Sequence, residues 1–356
     1  MRWPRWAIVG FGLGAGTAFL SACGDGTAPV RPASLAVTTG DAQTGPAAGT
    51  LALPLTVTVT GSDGRPFRGA TVTWQVVSGG GTVNPSTSAS DSLGQAGTVL
   101  TLGLAFGVNT VTATVAGVPP VTFSAQAIDP CLYTAPYTVG TTLTAALSTI
   151  DCRFVDGSYI DYYRLNAASQ LSVQVSETAP AFDAFLWLFD NVDFALAADD
   201  DGGGGTNATM RLILGPGTYR IGANSFMPDE TGAYTLSSSA LPVDAGGCAE
   251  VWVTAGIVTS QQILASDCTD GAGSYADAFL IALPSGRSVT ITERSSGFDA
   301  YLLLFFADGS LVASDDDSGG GLDASLSYTA SASGLYIILA ATFSSGQTGA
   351  YTLSIQ

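Results

Sequence analysis

Apolar and polar residues alternate with a period of two in several short runs, the mark of strands with one buried and one wet face. Leu55, Val57 and Val59 interleave with Thr56, Thr58 and Thr60. Val72, Trp74 and Val76 alternate with Thr73 and Gln75, and Val111, Ala113 and Val115 with Thr110, Thr112 and Thr114. Gly61-Ser62-Asp63-Gly64 and Gly79-Gly80-Gly81 punctuate these runs as turns. Strands at this spacing predict a sandwich with Trp74 as its core aromatic. Further along, Phe185-Leu186-Trp187-Leu188-Phe189 and Tyr301-Leu302-Leu303-Leu304-Phe305-Phe306 are apolar at every position. Such runs read as strands covered on both faces. A sharper alternative makes Phe185, Trp187 and Phe189 an exposed platform for a polysaccharide or a protein.

The last two thirds of the chain repeat themselves. Gly157-Ser158-Tyr159-Ile160-Asp161 recurs as Gly273-Ser274-Tyr275-Ala276-Asp277, and Phe182-Asp183-Ala184-Phe185-Leu186 as Phe298-Asp299-Ala300-Tyr301-Leu302, both 116 residues on. Asp199-Asp200-Asp201 recurs at the same offset as Asp315-Asp316-Asp317, and Gly232-Ala233-Tyr234-Thr235-Leu236 recurs 117 residues on, from Gly349. A period above a hundred means tandem domains rather than a solenoid. Proline and small residues around 241–247 mark the join. The expected boundaries are 33–128 for the first domain, 129–241 for the first copy and 244–356 for the second, with a linker over 23–32.

The chain opens with an address. Arg2 and Arg5 precede an apolar stretch over 7–20 that is short for a membrane span, and Leu20-Ser21-Ala22-Cys23 closes it. This resembles a bacterial lipoprotein signal, which implies removal of residues 1–22, acylation of Cys23 and attachment to the membrane through those acyl chains. Gly24 stands where an Asp would signal inner-membrane retention, so the expected location is the cell envelope at the outer membrane or cell surface.

The pieces Pro54-Leu55-Thr56-Val57, Gly64-Arg65-Pro66, Gly69-Ala70-Thr71-Val72-Thr73-Trp74, Asp91-Ser92-Leu93-Gly94 and Asn109-Thr110-Val111-Thr112-Ala113 together resemble a bacterial immunoglobulin-like domain of the invasin and intimin type. That resemblance implies a rigid spacer or adhesin module without enzymatic activity. Each repeated copy resembles the bacterial pre-peptidase C-terminal domain, on Asp161-Tyr162-Tyr163, Phe182-Asp183, the turn over 199–205, Gly217-Thr218-Tyr219 and Gly232-Ala233-Tyr234, and on their counterparts in copy two. It implies a jelly-roll-type β-sandwich doing accessory work in binding, secretion or stability. No peptidase domain precedes the copies in this sequence, so proteolysis is not expected. The fold class expected is therefore all-β, three tandem β-sandwiches after a signal peptide.

Composition narrows the chemistry. The 356 residues are 46% hydrophobic and 11% charged, which leaves ample apolar material for cores. There is no His, and all 11 basic residues are Arg. Histidine and lysine acid–base chemistry, Ser-His-Asp and Cys-His units, Schiff bases and His-ligated metals are thereby excluded. A net charge of −18 argues against a nucleic-acid partner. Besides Cys23 there are Cys131, Cys152, Cys248 and Cys268, an even number in a compartment that permits disulfides. Four cysteines allow three connectivities, and the duplication favours pairing within each copy, Cys131 with Cys152 and Cys248 with Cys268. A zinc site lacks the short paired Cys spacing it needs.

From residue 130 onward there are 24 acidic residues against six Arg. Close carboxylates repel one another unless a cation joins them, and calcium takes six to eight oxygen ligands. In extended backbone Asp199 and Asp201 point to one face, so they are expected to share a structural Ca2+, as are Asp315 and Asp317, with Asp183 and Asp299 as further ligands. The competing reading makes each run a solvated hairpin turn. A glycosidase built on Glu177 and Asp183 is disfavoured, because the same pair recurs as Glu293 and Asp299 and duplication explains it more simply. The expected function is a non-enzymatic surface lipoprotein whose spacer presents two acidic sandwiches to an unknown polysaccharide or protein. The alternative is an accessory to a separately encoded exported peptidase or other hydrolase.

Overall fold

The computed structural model describes residues 29–241, 251–269 and 273–356. Cys23, Cys248 and the signal segment lie outside them. Among the described residues there is no helix, and the chain is all-β.

The first sandwich packs a four-stranded sheet on a five-stranded one. Pro32–Thr39, Leu55–Gly61, Gln95–Thr101 and Thr82–Asn84 form the first sheet, and Gln43–Pro46, Val118–Ile128, Gly107–Val115, Thr71–Ser78 and Thr87–Ala89 the second, each in that spatial order. The alternation read from the sequence is realised as burial: Leu55, Val57, Val59, Val72 and Val111 all point into one core. Trp74 lies in that core as expected, 5.8 Å from the ring of Phe123, with its indole N–H donating to Ser88 Oγ at 2.9 Å. The hydrogen bond lets a large ring enter the interior without stranding its polar atom.

The two repeats are sandwiches of one topology, strand for strand. In the first, Ala135–Tyr137, Tyr159–Ala167, Gly217–Ser225, Ala184–Phe189 and Ala195–Asp199 lie side by side and face Thr142–Leu147, Gly232–Ala240, Leu171–Thr178 and Ala208–Leu214. The second repeats this order from Val251–Val253 to Leu311–Asp315 and from Ile257–Ile263 to Ala324–Thr329. Cys131 and Cys152 form the disulfide that the duplication predicted, closing a separation of 21 residues. Cys268 is also disulfide-bonded, and its expected partner Cys248 is outside the described residues.

The first strand of the second repeat bridges the two copies. Val251–Val253 pairs in parallel with Ala208–Leu214 of the first repeat and with Tyr275–Leu283 of the second, so one ten-stranded sheet runs through both. Its side chains alternate between two interiors. Val251 and Val253 enter the second core, which also takes in Ile213 and Leu241 from the first repeat, while Trp252 packs against the first core. Shared backbone hydrogen bonds and shared apolar burial make the acidic pair one packed body.

Candidate functional site

Each aspartate run occupies a hairpin turn. The strand Ala195–Asp199 stops at its first aspartate, so the period-two geometry that would align Asp199 with Asp201 does not continue. Asp199 Oδ2 accepts the N–H of Gly202 at 3.0 Å and of Thr209 at 2.6 Å, and Asp200 Oδ1 accepts the N–H of Asp201 at 2.9 Å. The second copy matches: Asp315 Oδ2 accepts from Ser318 at 3.1 Å and Ser325 at 2.6 Å, and Asp316 from Asp317 at 3.0 Å. A Cβ at Gly202 would come within 2.5 Å of the Asp199 carboxylate, whereas the second copy accommodates Ser318 at the equivalent position. Asp199 and Asp315 are thus committed to turn N–H groups.

Asp183 approaches the run from the turn before Ala184–Phe189. Desolvation, then the charges of Asp201 and Asp200, push its carboxyl above the usual range, and Asp299 responds in the same way to Asp317 and Asp316. Asp183 Oδ1 and Asp299 Oδ1 are buried without a hydrogen-bond partner, a need that a cation would meet. Even so, among the described residues no three carboxylates stand close enough to hold an ion between them. The residues therefore fit calcium in part: Asp183 with Asp201, and Asp299 with Asp317, would supply carboxylates.

A second acidic constellation lies between the sheets. Glu177 and Glu293 are 0% exposed, and burial drives both carboxyls well above the ordinary range. Glu177 Oε2 accepts only the N–H of Asn224, at 3.3 Å, and Oε1 has no partner. Asp161, on the neighbouring strand Tyr159–Ala167, accepts the hydroxyl of Tyr234 at 2.6 Å, and Tyr234 in turn shares a 2.5 Å hydrogen bond with Tyr163. Burial first, and then the charge of Asp151, raise Asp161 to about 7. In the second repeat Tyr351 donates to Asp277 at 2.7 Å, and Phe279 replaces Tyr163. The sequence reading used Asp161 and Tyr234 only as family landmarks. Their joint recurrence as Asp277 and Tyr351 was the signal that they act together.

Asp161, Asp151, Tyr133 and Tyr163 also line a cleft of about 560 Å³, together with Pro46, Gly49 and Thr50 of the first sandwich.

The aromatic row sits on the outer face of Ala184–Phe189. Leu186 and Leu188 point into the core, while Phe185, Trp187 and Phe189 stack along the strand at 4.9 and 5.7 Å between successive rings. Phe154 covers Trp187 from 5.5 Å, and Phe226 lies 6.0 Å from Phe185. Phe189 is buried, Phe185 and Trp187 are half-buried, and Phe226 and Met227 are exposed beside them. Both readings thus hold in part: the strand is covered on both faces, yet one end of the row reaches solvent. In the second repeat only Tyr301 and Phe343 keep the ring pair, 5.6 Å apart.

Together these features define an all-β protein of tandem sandwiches, one standing first and two knitted into a single acidic body. The chain is similar, at low identity, to several solved structures. The pre-peptidase C-terminal domain of a collagenase from Bacillus anthracis is 19% identical, with 30% of this chain and 95% of that chain covered and a TM-score of 0.26. The D0-D1 domain of intimin is 14% identical, covering 57% and 89%, with a TM-score of 0.23. Invasin, described as a bacterial integrin-binding protein, is 15% identical, covering 92% of this chain and 54% of that chain, with a TM-score of 0.21. No protein-family model and no curated protein matches the chain.

Proposed function

We propose that this chain is a non-enzymatic lipoprotein of the bacterial cell envelope, anchored through Cys23, in which the first sandwich is a spacer and the fused acidic pair binds a surface protein or polysaccharide. The division of side chains within the pair carries the reading. A glycosidase would need Glu177 or Glu293 to reach a substrate, and both are sealed inside the cores. What faces solvent is a set of aspartate turns and the open end of an aromatic row, which are binding chemistry. Calcium has a structural part in this reading, bridging Asp183 to Asp201 and Asp299 to Asp317.

The test is a binding screen of the mature protein against envelope polysaccharides and surface proteins, with Phe185→Ala combined with Trp187→Ala as the control. The proposal expects a saturable ligand whose binding weakens by about tenfold in that variant. Unchanged binding there would remove the aromatic face from the account.

A further inference from the structure

The strand that bridges the repeats fills an edge in the first copy that no strand fills in the second among the described residues. In Ala208–Leu214 alternate residues turn their backbone groups away from Leu171–Thr178. Thr209 gives its outward N–H to Asp199, and the Ile213 carbonyl accepts the N–H of Thr254, just beyond Val251–Val253. The equivalent strand of the second copy, Ala324–Thr329, pairs with Ser288–Ser295 on one side and ends its sheet on the other. Ser325 gives its outward N–H to Asp315, as Thr209 does to Asp199. Opposite Ser327 and Thr329, the counterparts of Arg211 and Ile213, no strand lies among the described residues.

This edge lacks the usual protection. It carries no proline, no charged residue and no register shift along its six residues, and the side chains of Ser327 and Thr329 are exposed. A ladder of hydroxyl pairs, Ser288 with Thr329 at 2.8 Å and Thr290 with Ser327 at 3.2 Å, keeps its outer face flat and polar. A second copy of the chain cannot cap it by the route Val251–Val253 uses, because Pro136 stands in Ala135–Tyr137 where Trp252 stands in the bridging strand. Proline has no N–H to give an adjoining strand. The net charge of −18 further opposes self-association.

We propose that Ala324–Thr329 is a strand-accepting edge for an extended segment of a partner protein. The segment binds parallel to the edge, repeating the pairing that Val251–Val253 makes with Ala208–Leu214, with apolar residues at alternate positions. A parallel segment begins at the Ala324 end, beside Asp316 and Asp317, so it is basic on its N-terminal side. Main-chain hydrogen bonds provide affinity, and side-chain alternation with charge provides selectivity. The inference rests on reading the acidic pair as a binding unit but uses a different surface, so its failure leaves the aromatic-face screen unaffected.

The test uses the mature chain and a fluorescent synthetic peptide, Lys-Arg-Val-Trp-Val-Thr, whose last four residues copy 251–254. Anisotropy should show saturable binding, and hydrogen exchange should show the amides of Ser327 and Thr329 protected by the peptide. Ser327→Pro removes an outward donor and should weaken binding by roughly tenfold. Asp316→Asn combined with Asp317→Asn, at turn positions beside the edge, should weaken it several-fold and flatten its salt dependence in calcium-free buffer. No saturable binding would overturn the proposal. So would protection over 208–214 instead, which means displacement of the bridging strand, or protection of the same amides in a peptide-free dimer, which makes a second copy the occupant.

Discussion

Replacing Asp161 by Asn should change the pH dependence of stability more than stability itself. The carboxyl lies between two sheets, receives the Tyr234 hydroxyl, and is raised from 3.8 to about 7 by burial and by the charge of Asp151. A raised acid is protonated in the folded state while its unfolded counterpart ionises, so folded stability is full below pH ~4 and is lost as pH rises through about 7. At about 1.36 kcal/mol per tenfold in the acid constant, the loss across that window is about 4 kcal/mol. Asn keeps an oxygen for Tyr234 and cannot ionise. Calorimetry of the mature protein at pH 4, 6 and 8 should therefore show the acidic pair of the wild type melting lower as pH rises. Asp161→Asn should remove part of that fall, on the order of 10 °C between the extremes. Glu293 is untouched and the rise of Glu177 is eased once the Asp161 charge is gone, so the difference between the two curves reports Asp161 together with its effect on Glu177. Parallel curves would refute the claim that this carboxyl is held neutral by the fold.

Three further outcomes follow from the same geometry. Non-reducing peptide mapping should join Cys131 to Cys152 and Cys268 to Cys248, and Cys131→Ser with Cys152→Ser should cost about 3 kcal/mol by the chain-entropy relation, read as a lower denaturation midpoint of the first repeat. Cys23→Ser should leave the precursor uncleaved or release the protein from membranes; normal processing and partition would refute lipidation. Calcium at about 100 times its Kd should stabilise a repeat by about 2.7 kcal/mol with magnesium far weaker, and Asp183→Asn with Asp201→Asn should remove the first repeat's share. A melting temperature indifferent to calcium would leave both aspartate runs as turns alone.

What the sequence made legible was local or duplicated. Alternation from Leu55 to Val59 gave a strand and its buried face, because a period of two maps directly onto one side of a pleat. The 116-residue offset gave two like sandwiches and the Cys131–Cys152 pairing, because equivalent positions fold equivalently. The aspartate runs allow both extended backbone and a hairpin turn, and the turn is what forms: chain reversal right after Asp199 brings its carboxylate to the N–H groups of Gly202 and Thr209. The contact between Asp161 and Tyr234 spans 73 residues, and no periodicity reports a cross-sheet partner at that distance. Val251–Val253 was hidden for another reason: three residues carry too little pattern to announce a strand, and its parallel partners lie far away on either side.

The central claim is that the fused acidic pair binds an envelope component without converting it. Its most direct test pairs equilibrium binding with product analysis, incubating the mature protein with the strongest ligand from the screen and following occupancy and ligand integrity in the same samples. The account predicts saturable binding, an intact ligand after prolonged incubation, and affinity that falls when Phe185 and Trp187 are truncated but not when Glu177→Gln is introduced. Cleavage of the ligand at a rate that Glu177→Gln abolishes would contradict it and make the pair an enzyme.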